Sequence, residues 1–169
     1  KDQTTEQALR RLHVLGFTCE DPPIRRALSY LRDCLQGRQT IPDRREKGAG
    51  WERYLELMLA TTIRMFAPND PEIGRIVEQW RTVVTATFET GTFDEIAYMR
   101  IFADTFGIAP GVHPRYADLS CRYPVELLAG VLDAATGAAL VRHVLDHPSG
   151  LYYVCGGPIR TPPSSGADP

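Results

Sequence analysis

Five ionisable residues follow one another in the segment between residues 38 and 50: Asp43, Arg44, Arg45, Glu46 and Lys47. Arginine binds carboxylates and phosphates with paired hydrogen bonds, and a partly buried acid can accept a proton. Long irregular segments between helices often carry function. The two arginines and the two acids are therefore candidate ligand-binding residues, with Trp51 as an apolar wall beside them. A solvated turn with self-neutralising ion pairs is the alternative interpretation.

A sixth candidate is Arg64, which stands between Ile63 and Met65 in a segment that is apolar on nearly every helical face. An arginine in such a place either extends its guanidinium group to solvent or pairs with an acid. We expect the first of these, and we keep Arg64 among the ligand-binding candidates.

His143 and His147 are four residues apart, a spacing that places two imidazoles on one helical face and can bind a transition metal. A metalloprotease helix would carry Glu directly after the first His, and Val144 occupies that position. Imidazoles at the C-terminal end of a helix also interact favourably with its dipole. We therefore predict no metal and no cofactor, with the histidine pair as the alternative metal site.

The four cysteines form no C-x-x-C pair of the kind that binds zinc or cycles as a dithiol, and they are Cys19, Cys34, Cys121 and Cys155. Reduced thiols in a cytoplasmic protein are the expectation. No G-x-S-x-G motif links Ser, His and Asp into a hydrolase site. The sequence leaves enzymatic activity open and favours a non-enzyme.

The composition is that of an ordinary globular domain, with 169 residues of which 43% are hydrophobic and 24% charged. No apolar run approaches the roughly 20 residues that cross a bilayer, and no apolar leader follows Lys1, so we expect neither a membrane span nor a signal peptide. A net charge of −2 argues against a nucleic-acid partner.

Apolar residues recur with helical spacing along most of the chain. The pattern predicts an all-α domain of about seven helices, at about Thr5–Leu15, Asp21–Leu35, Trp51–Phe66, Asp70–Phe88, Asp94–Phe106, Ala117–Leu132 and Asp133–Asp146. We assign one domain to residues 1–155, with units at about 5–50 and 51–93 and a divergent helical cap at 94–155. The Pro, Ser and Gly-rich tail, residues 156–169, is predicted to be disordered.

The two units share a motif, because Phe17 to Arg26 nearly repeats as Phe66 to Arg75, 49 residues later. Each copy has a phenylalanine, then Asp-Pro four residues on, and this pair starts a helix. We expect Asp21 and Asp70 to accept backbone N–H bonds. Repeated helical hairpins bury their apolar faces by stacking, so the repeat favours a binding surface.

The first copy resembles the helical hairpins of squalene-cyclase and protein-prenyltransferase α/α-toroid proteins, in particular uncharacterised bacterial relatives, through Gly16, Phe17, Asp21, Ile24, Ala27, Leu28, Tyr30 and Leu31. HEAT-type repeats, with a period of about 40–47 residues, fit nearly as well. The toroid resemblance implies a partial toroid with an apolar, isoprenoid-like pocket. It does not extend to that group's acidic clusters or its Asp, Cys and His zinc ligands, so it implies fold rather than activity.

The leading hypothesis is a non-catalytic helical-repeat module that binds a protein or peptide. The alternative is an enzyme or small-molecule binding domain whose apolar pocket is rimmed by residues 38–50. A closed apolar cavity favours the alternative and an open groove favours the module. A homo-oligomer is compatible with both.

Overall fold

The computed structural model describes residues 4–41, 50–108 and 119–146 of the chain. Within these ranges the backbone forms α-helices, one short 3-10 helix at Pro71–Ile73 and no strand. The α-helices are α1 (Thr5–Val14), α2 (Pro22–Leu35), α3 (Trp51–Phe66), α4 (Gly74–Thr87), α5 (Glu95–Phe106), α6 (Arg122–Leu127) and α7 (Ala134–Asp146). The predicted all-α fold with seven helices is confirmed.

Short polar side chains start several helices by accepting the backbone N–H groups that lack a partner in the first turn. Thr4 and Gln7 form a capping box at α1. Asp94 accepts the Ala97 N–H at 2.9 Å at the start of α5. Asp133 accepts the N–H groups of Ala135 and Thr136, both at 3.0 Å, at the start of α7.

Helix α3 occupies the centre of the described structure. Seven of its residues are buried, and it packs against α1, α2, α4 and α6. A helix that is apolar nearly all round has no face suited to solvent, so it needs neighbours on several sides. The predicted central position and the predicted bounds of this helix are confirmed.

Aromatic rings fill the space between α4 and α5. The Trp80 ring lies 6.0 Å from Phe102 and 5.2 Å from Phe106, measured between centroids. Aromatic side chains bury large areas and prefer such tilted or edge-on contacts. Gly107, with a φ of 70°, then ends α5 in the left-handed region, as its position after Phe106 predicts.

Two helix boundaries differ from the sequence-based prediction. The helix that follows Asp70 begins with the 3-10 helix before α4. Helix α6 is much shorter than the predicted Ala117–Leu132. It carries Pro124 in its first turn, where a missing N–H costs nothing, and it ends before Gly130, whose φ is 74°. Among the described residues, no helix is long and apolar enough to cross a membrane.

Candidate functional site

The charged residues of the predicted binding segment, Asp43, Arg44, Arg45 and Glu46, lie outside the described residues, and Trp51 lies within them. Trp51 is the first residue of α3, is half-buried and stacks on Tyr54 with 5.7 Å between ring centroids. The Tyr54 ring in turn meets Tyr123 of α6 edge-on at 5.5 Å. Trp51 therefore joins the start of α3 to an aromatic group at α6.

Arg64 is half-buried, and its guanidinium group binds two backbone carbonyls. Its Nη1 donates to the Pro68 carbonyl at 2.9 Å and its Nη2 donates to the Ala129 carbonyl at 3.0 Å. Both hydrogen bonds are exposed, so this geometry agrees with the expected outward direction of the guanidinium group. These carbonyls carry no formal charge, so the positive charge of Arg64 has no acidic counter-ion among the described residues.

An open groove of about 420 Å³ lies between α1, the C-terminal half of α3 and α6. We call it the α1–α3–α6 groove. Its lining residues are Arg10, His13 and Val14 from α1, Thr61, Arg64 and Met65 from α3, Pro68, and Glu126 and Ala129 from α6 and the turn after it. Arg64 is the one sequence-predicted site residue on this wall, and it stands beside apolar side chains.

A network of ion pairs closes one side of this groove. Arg10 donates to both carboxylate oxygens of Glu126, with 3.0 Å from Nη1 to Oε1. Glu6 accepts from Arg10 Nε at 3.1 Å, from the Tyr123 hydroxyl at 3.1 Å and from Arg122. Burial alone lowers the pKa of Arg10, but the carboxylates of Glu126 and Glu6 outweigh it and raise that pKa. The network fastens α1 to α6.

The two tyrosines beside this network stay protonated at neutral pH. Burial raises the pKa of Tyr54, and the neighbouring Tyr123 adds to the shift. Burial likewise raises the pKa of Tyr123, with a further contribution from the charge of Glu6. A phenol whose pKa is raised is a poor base near neutral pH. The two hydroxyl groups therefore serve as hydrogen-bonding groups in this network.

A second, smaller open groove borders the segment that the sequence singled out. It has a volume of about 250 Å³ and is lined by Cys34, Leu35, Ile41, Glu52, Arg53, Leu55, Glu56 and Leu59. Its charged groups are largely engaged with one another, since Glu56 accepts from Arg53 at 2.8 Å and from Arg75 at 2.7 Å. We call it the α2–α3 groove.

His143 stacks on the ring of Phe93 at 4.4 Å and meets Phe88 edge-on at 5.7 Å. Its imidazole thus packs in an aromatic environment. In the described ranges, His, Cys, Asp and Glu form no group of three that is placed to hold a metal ion. His147, the second member of the pair, lies outside them.

Most of the α1–α3–α6 groove carries no local sequence signal. Arg10 and Glu126 are 116 residues apart, so only the tertiary fold brings them together. The pair of Glu6 and Arg10 can be recognised in the sequence, because an acid and an arginine four residues apart on a helix attract one another. That spacing is common on solvated helices, so it does not distinguish a functional surface from an ordinary one.

No protein-family model matches this chain, and neither the curated proteins nor the solved structures contain a significant match to it. The function is therefore inferred from the chemistry of the grooves and surfaces of the chain itself.

Proposed function

We propose that this protein is a non-catalytic binding module whose α1–α3–α6 groove receives an extended segment of a partner protein. The observation that carries the proposal is the guanidinium group of Arg64, which pairs with no acid of the described residues and lies in the wall of an open groove with apolar sides. Apolar surface with a few fixed polar groups is typical of sites that bind peptides or small ligands.

The chemistry of the groove specifies the chemistry of its occupant. Met65, Pro68 and Val14 offer apolar surface, and Val14 is 84% exposed. Arg10 pairs with Glu126, while Arg64 adds a positive charge to the groove. Complementary charge favours association and fixes orientation. The partner segment therefore places one apolar side chain against Met65 and one carboxylate near Arg64.

The helical-repeat architecture belongs to the same proposal, and the packing of α2 against α3 supports it, since these helices come from different units. A cytoplasmic location also belongs to it. Cys19, Cys34 and Cys121 are free thiols, in keeping with a reducing compartment.

The test is selection of peptides from a random display library, followed by affinity measurements on two matched variants. Val14→Glu places a negative charge and a longer side chain at the groove. Because the expected peptides are acidic, this variant should bind the selected peptides about tenfold more weakly, or weaker still. Ile96→Glu on α5 is the control, because Ile96 is 83% exposed and does not line the groove. The Ile96→Glu variant should bind the selected peptides with the affinity of the wild type.

Two results contradict the proposal. One is that no peptide binds the wild-type protein saturably. The other is that Ile96→Glu weakens binding while Val14→Glu does not. Acidic and apolar residues should also be enriched together among the selected peptides, and enrichment of basic residues would assign the groove to a different partner.

The second candidate function is binding of a small anionic molecule at residues 38–50, favoured by the α2–α3 groove beside Ile41. Ile41 of that segment lines the groove, as do Glu52 and Arg53, which follow the segment closely in sequence. Arg44 and Arg45 belong to the segment. The test is a thermal-shift screen of small anions on the wild type and on Arg44→Ala/Arg45→Ala. Stabilisation that disappears in the double variant supports this candidate, and stabilisation that survives contradicts it.

A further inference from the structure

The two copies of the repeated motif lie in different surroundings. The first turn, residues 15–21, joins α1 to α2, and the second turn, residues 67–70, joins α3 to the 3-10 helix. Both end in an aspartate that is followed by proline. The contacts of the second turn show how one unit of this chain covers the turn of another, and within residues 4–41, 50–108 and 119–146 no helix covers the first turn in this way.

Three side chains of the first unit contact the second turn or the residues directly beside it. Arg32 of α2 donates to Asp70 Oδ2, with 2.8 Å from Nε and 2.6 Å from Nη2. Gln36, directly after α2, hydrogen-bonds the carboxylate of Glu72. The His13 ring of α1 meets Phe66 edge-on at 5.2 Å. The Asp70 side chain is left only 3% exposed.

The corresponding groups of the first turn have no such cover from the part of the chain that the structure describes. Asp21 Oδ2 accepts the Thr18 N–H at 2.7 Å, and Oδ1 has no hydrogen-bond partner in the described part of the chain. Phe17 is 38% exposed, and its neighbour Leu15 is 73% exposed. Apolar side chains grouped beside charged ones in this way are typical of an interaction surface.

We infer that the first turn is a docking site for a helix of a partner protein that presents an arginine to Asp21 and a ring to Phe17. The helix takes the place that α2 takes at the second turn. Charge supports this occupant, because Glu20 and Asp21 adjoin one another and neither carboxylate pairs with an arginine among the described residues. Arg25 donates instead to the Glu20 carbonyl, at 3.0 Å.

This docking site is separate from the α1–α3–α6 groove. Asp21, Phe17 and Leu15 do not line that groove. The two surfaces also differ in charge, since the groove favours an acidic segment and the first turn favours a basic helix. Loss of one activity therefore does not imply loss of the other.

The chain itself supplies the probe. A synthetic peptide of residues 20–39 contains α2 with Arg32 and Gln36, the residues that cover the second turn. Isolated helices of this length are marginal in water, so the peptide carries a hydrocarbon staple between positions 26 and 30, which are both exposed on α2. Binding to the whole protein is measured by fluorescence anisotropy.

We expect saturable binding that Asp21→Asn in the protein weakens about fivefold, as removal of a partly exposed ion pair should. The aspartate-to-asparagine change keeps an oxygen that can accept the Thr18 N–H and removes only the charge. Arg32→Ala in the peptide should weaken binding by a similar factor, and the two changes together should cost no more than either alone. Asp94→Asn at the start of α5 is the matched control and should leave the affinity unchanged.

Three outcomes overturn the inference. The peptide does not bind saturably, or it binds equally well to wild type and Asp21→Asn, or Asp94→Asn weakens it as much as Asp21→Asn does. Sedimentation of the protein alone gives a further check. A dimer that Leu15→Glu dissociates would make a second copy of this chain the occupant, and would replace the partner helix.

Discussion

The first and second turns carry nearly the same residues and have different roles in stability. At the second turn the aspartate faces the preceding unit, pairs with Arg32 and still caps the N–H of Glu72 at 3.0 Å. At the first turn the aspartate bonds backwards to Thr18, in its own turn. One motif thus marks a helix start in both places, and only its surroundings decide whether it also joins two units.

The two aspartates also differ in capping. The side chain at an N-cap position accepts from the second or third residue of the helix. At the first turn the second residue is Pro23, which has no N–H to donate, so the third residue, Ile24, is the remaining donor. Asp21 makes no bond to its own helix, and the expected cap at this aspartate is wrong. At the second turn the second residue is Glu72, whose N–H donates to Asp70. Pro23 thus removes one of the two amides that Asp21 could cap.

Another difference lies at the ends of the preceding helices. Arg64 binds the Pro68 and Ala129 carbonyls and so fastens the second turn to the turn after α6. The residue 49 positions earlier is Leu15, which is exposed. The second turn is thus held from two sides, by Arg32 and by Arg64. Burial of the repeated motif therefore depends on residues outside the motif.

Replacing the two phenylalanines should give the largest contrast. Phe66→Ala should lower the free energy of unfolding by about 3 kcal/mol, because Phe66 is 7% exposed and its removal leaves a cavity in the core. Phe17→Ala should cost less than about 1 kcal/mol, since Phe17 is partly exposed. Urea unfolding with unchanged m-values measures both. Equal losses would show that the first turn is buried as deeply as the second.

Replacing the two aspartates should give a smaller difference in the free energy of unfolding. Asp70→Ala removes a buried ion pair and a cap, and we expect a loss of about 2 kcal/mol. Asp21→Ala should cost about 0.5 kcal/mol, because its bonds stay within the turn. Asp70→Asn separates the two contributions, since it keeps a capping group and removes the charge. A loss at Asp21 as large as that at Asp70 would contradict the assignment of the ion pair as the main difference.

The arginine that fastens the second turn should have an intermediate effect. Arg64→Ala removes two charge-assisted hydrogen bonds from a half-buried side chain, and the expected loss is about 1 kcal/mol. Leu15→Ala at the equivalent position should stay within about 0.5 kcal/mol of the wild type. Thermal unfolding compares the two variants. Arg64→Lys should recover only part of the loss, because one ammonium group does not span both carbonyls.

The local signals in the sequence predict the order of the helices and most of their bounds, α6 being the main exception, and they do not predict the contacts between helices. The bounds of α3, the cap of α5 at Asp94 and its end at Gly107 follow from nearby residues. The burial of Asp70 depends on Arg32, which is 38 residues away, and the carbonyls that hold Arg64 include one 65 residues away. Such pairings need the tertiary arrangement, which periodicity does not specify. The charged segment at Asp43 to Glu46 stays a prediction.

The smallest expected effect tests the role of the proline itself. Pro23→Glu makes the first turn chemically like the second, since Glu72 holds the equivalent position. The new N–H can donate to the Asp21 carboxylate, which should stabilise α2 by about 1 kcal/mol. Loss of the proline increases the conformational entropy of the unfolded chain. This should lower the free energy of unfolding by a similar amount, roughly 0.4–1 kcal/mol. The net change in the free energy of unfolding should therefore lie within about 0.5 kcal/mol of zero.

The informative measurement for Pro23→Glu is hydrogen exchange at residue 23, read by NMR. A new bond to Asp21 should slow exchange of this amide, and the added change Asp21→Ala should restore fast exchange. Pro23→Ala is the matched control, because it supplies the same N–H without a second carboxylate. If the amide at position 23 exchanges freely in both variants, then Thr18 rather than Pro23 holds the Asp21 side chain in its backward orientation, and the two turns differ for a reason other than the proline.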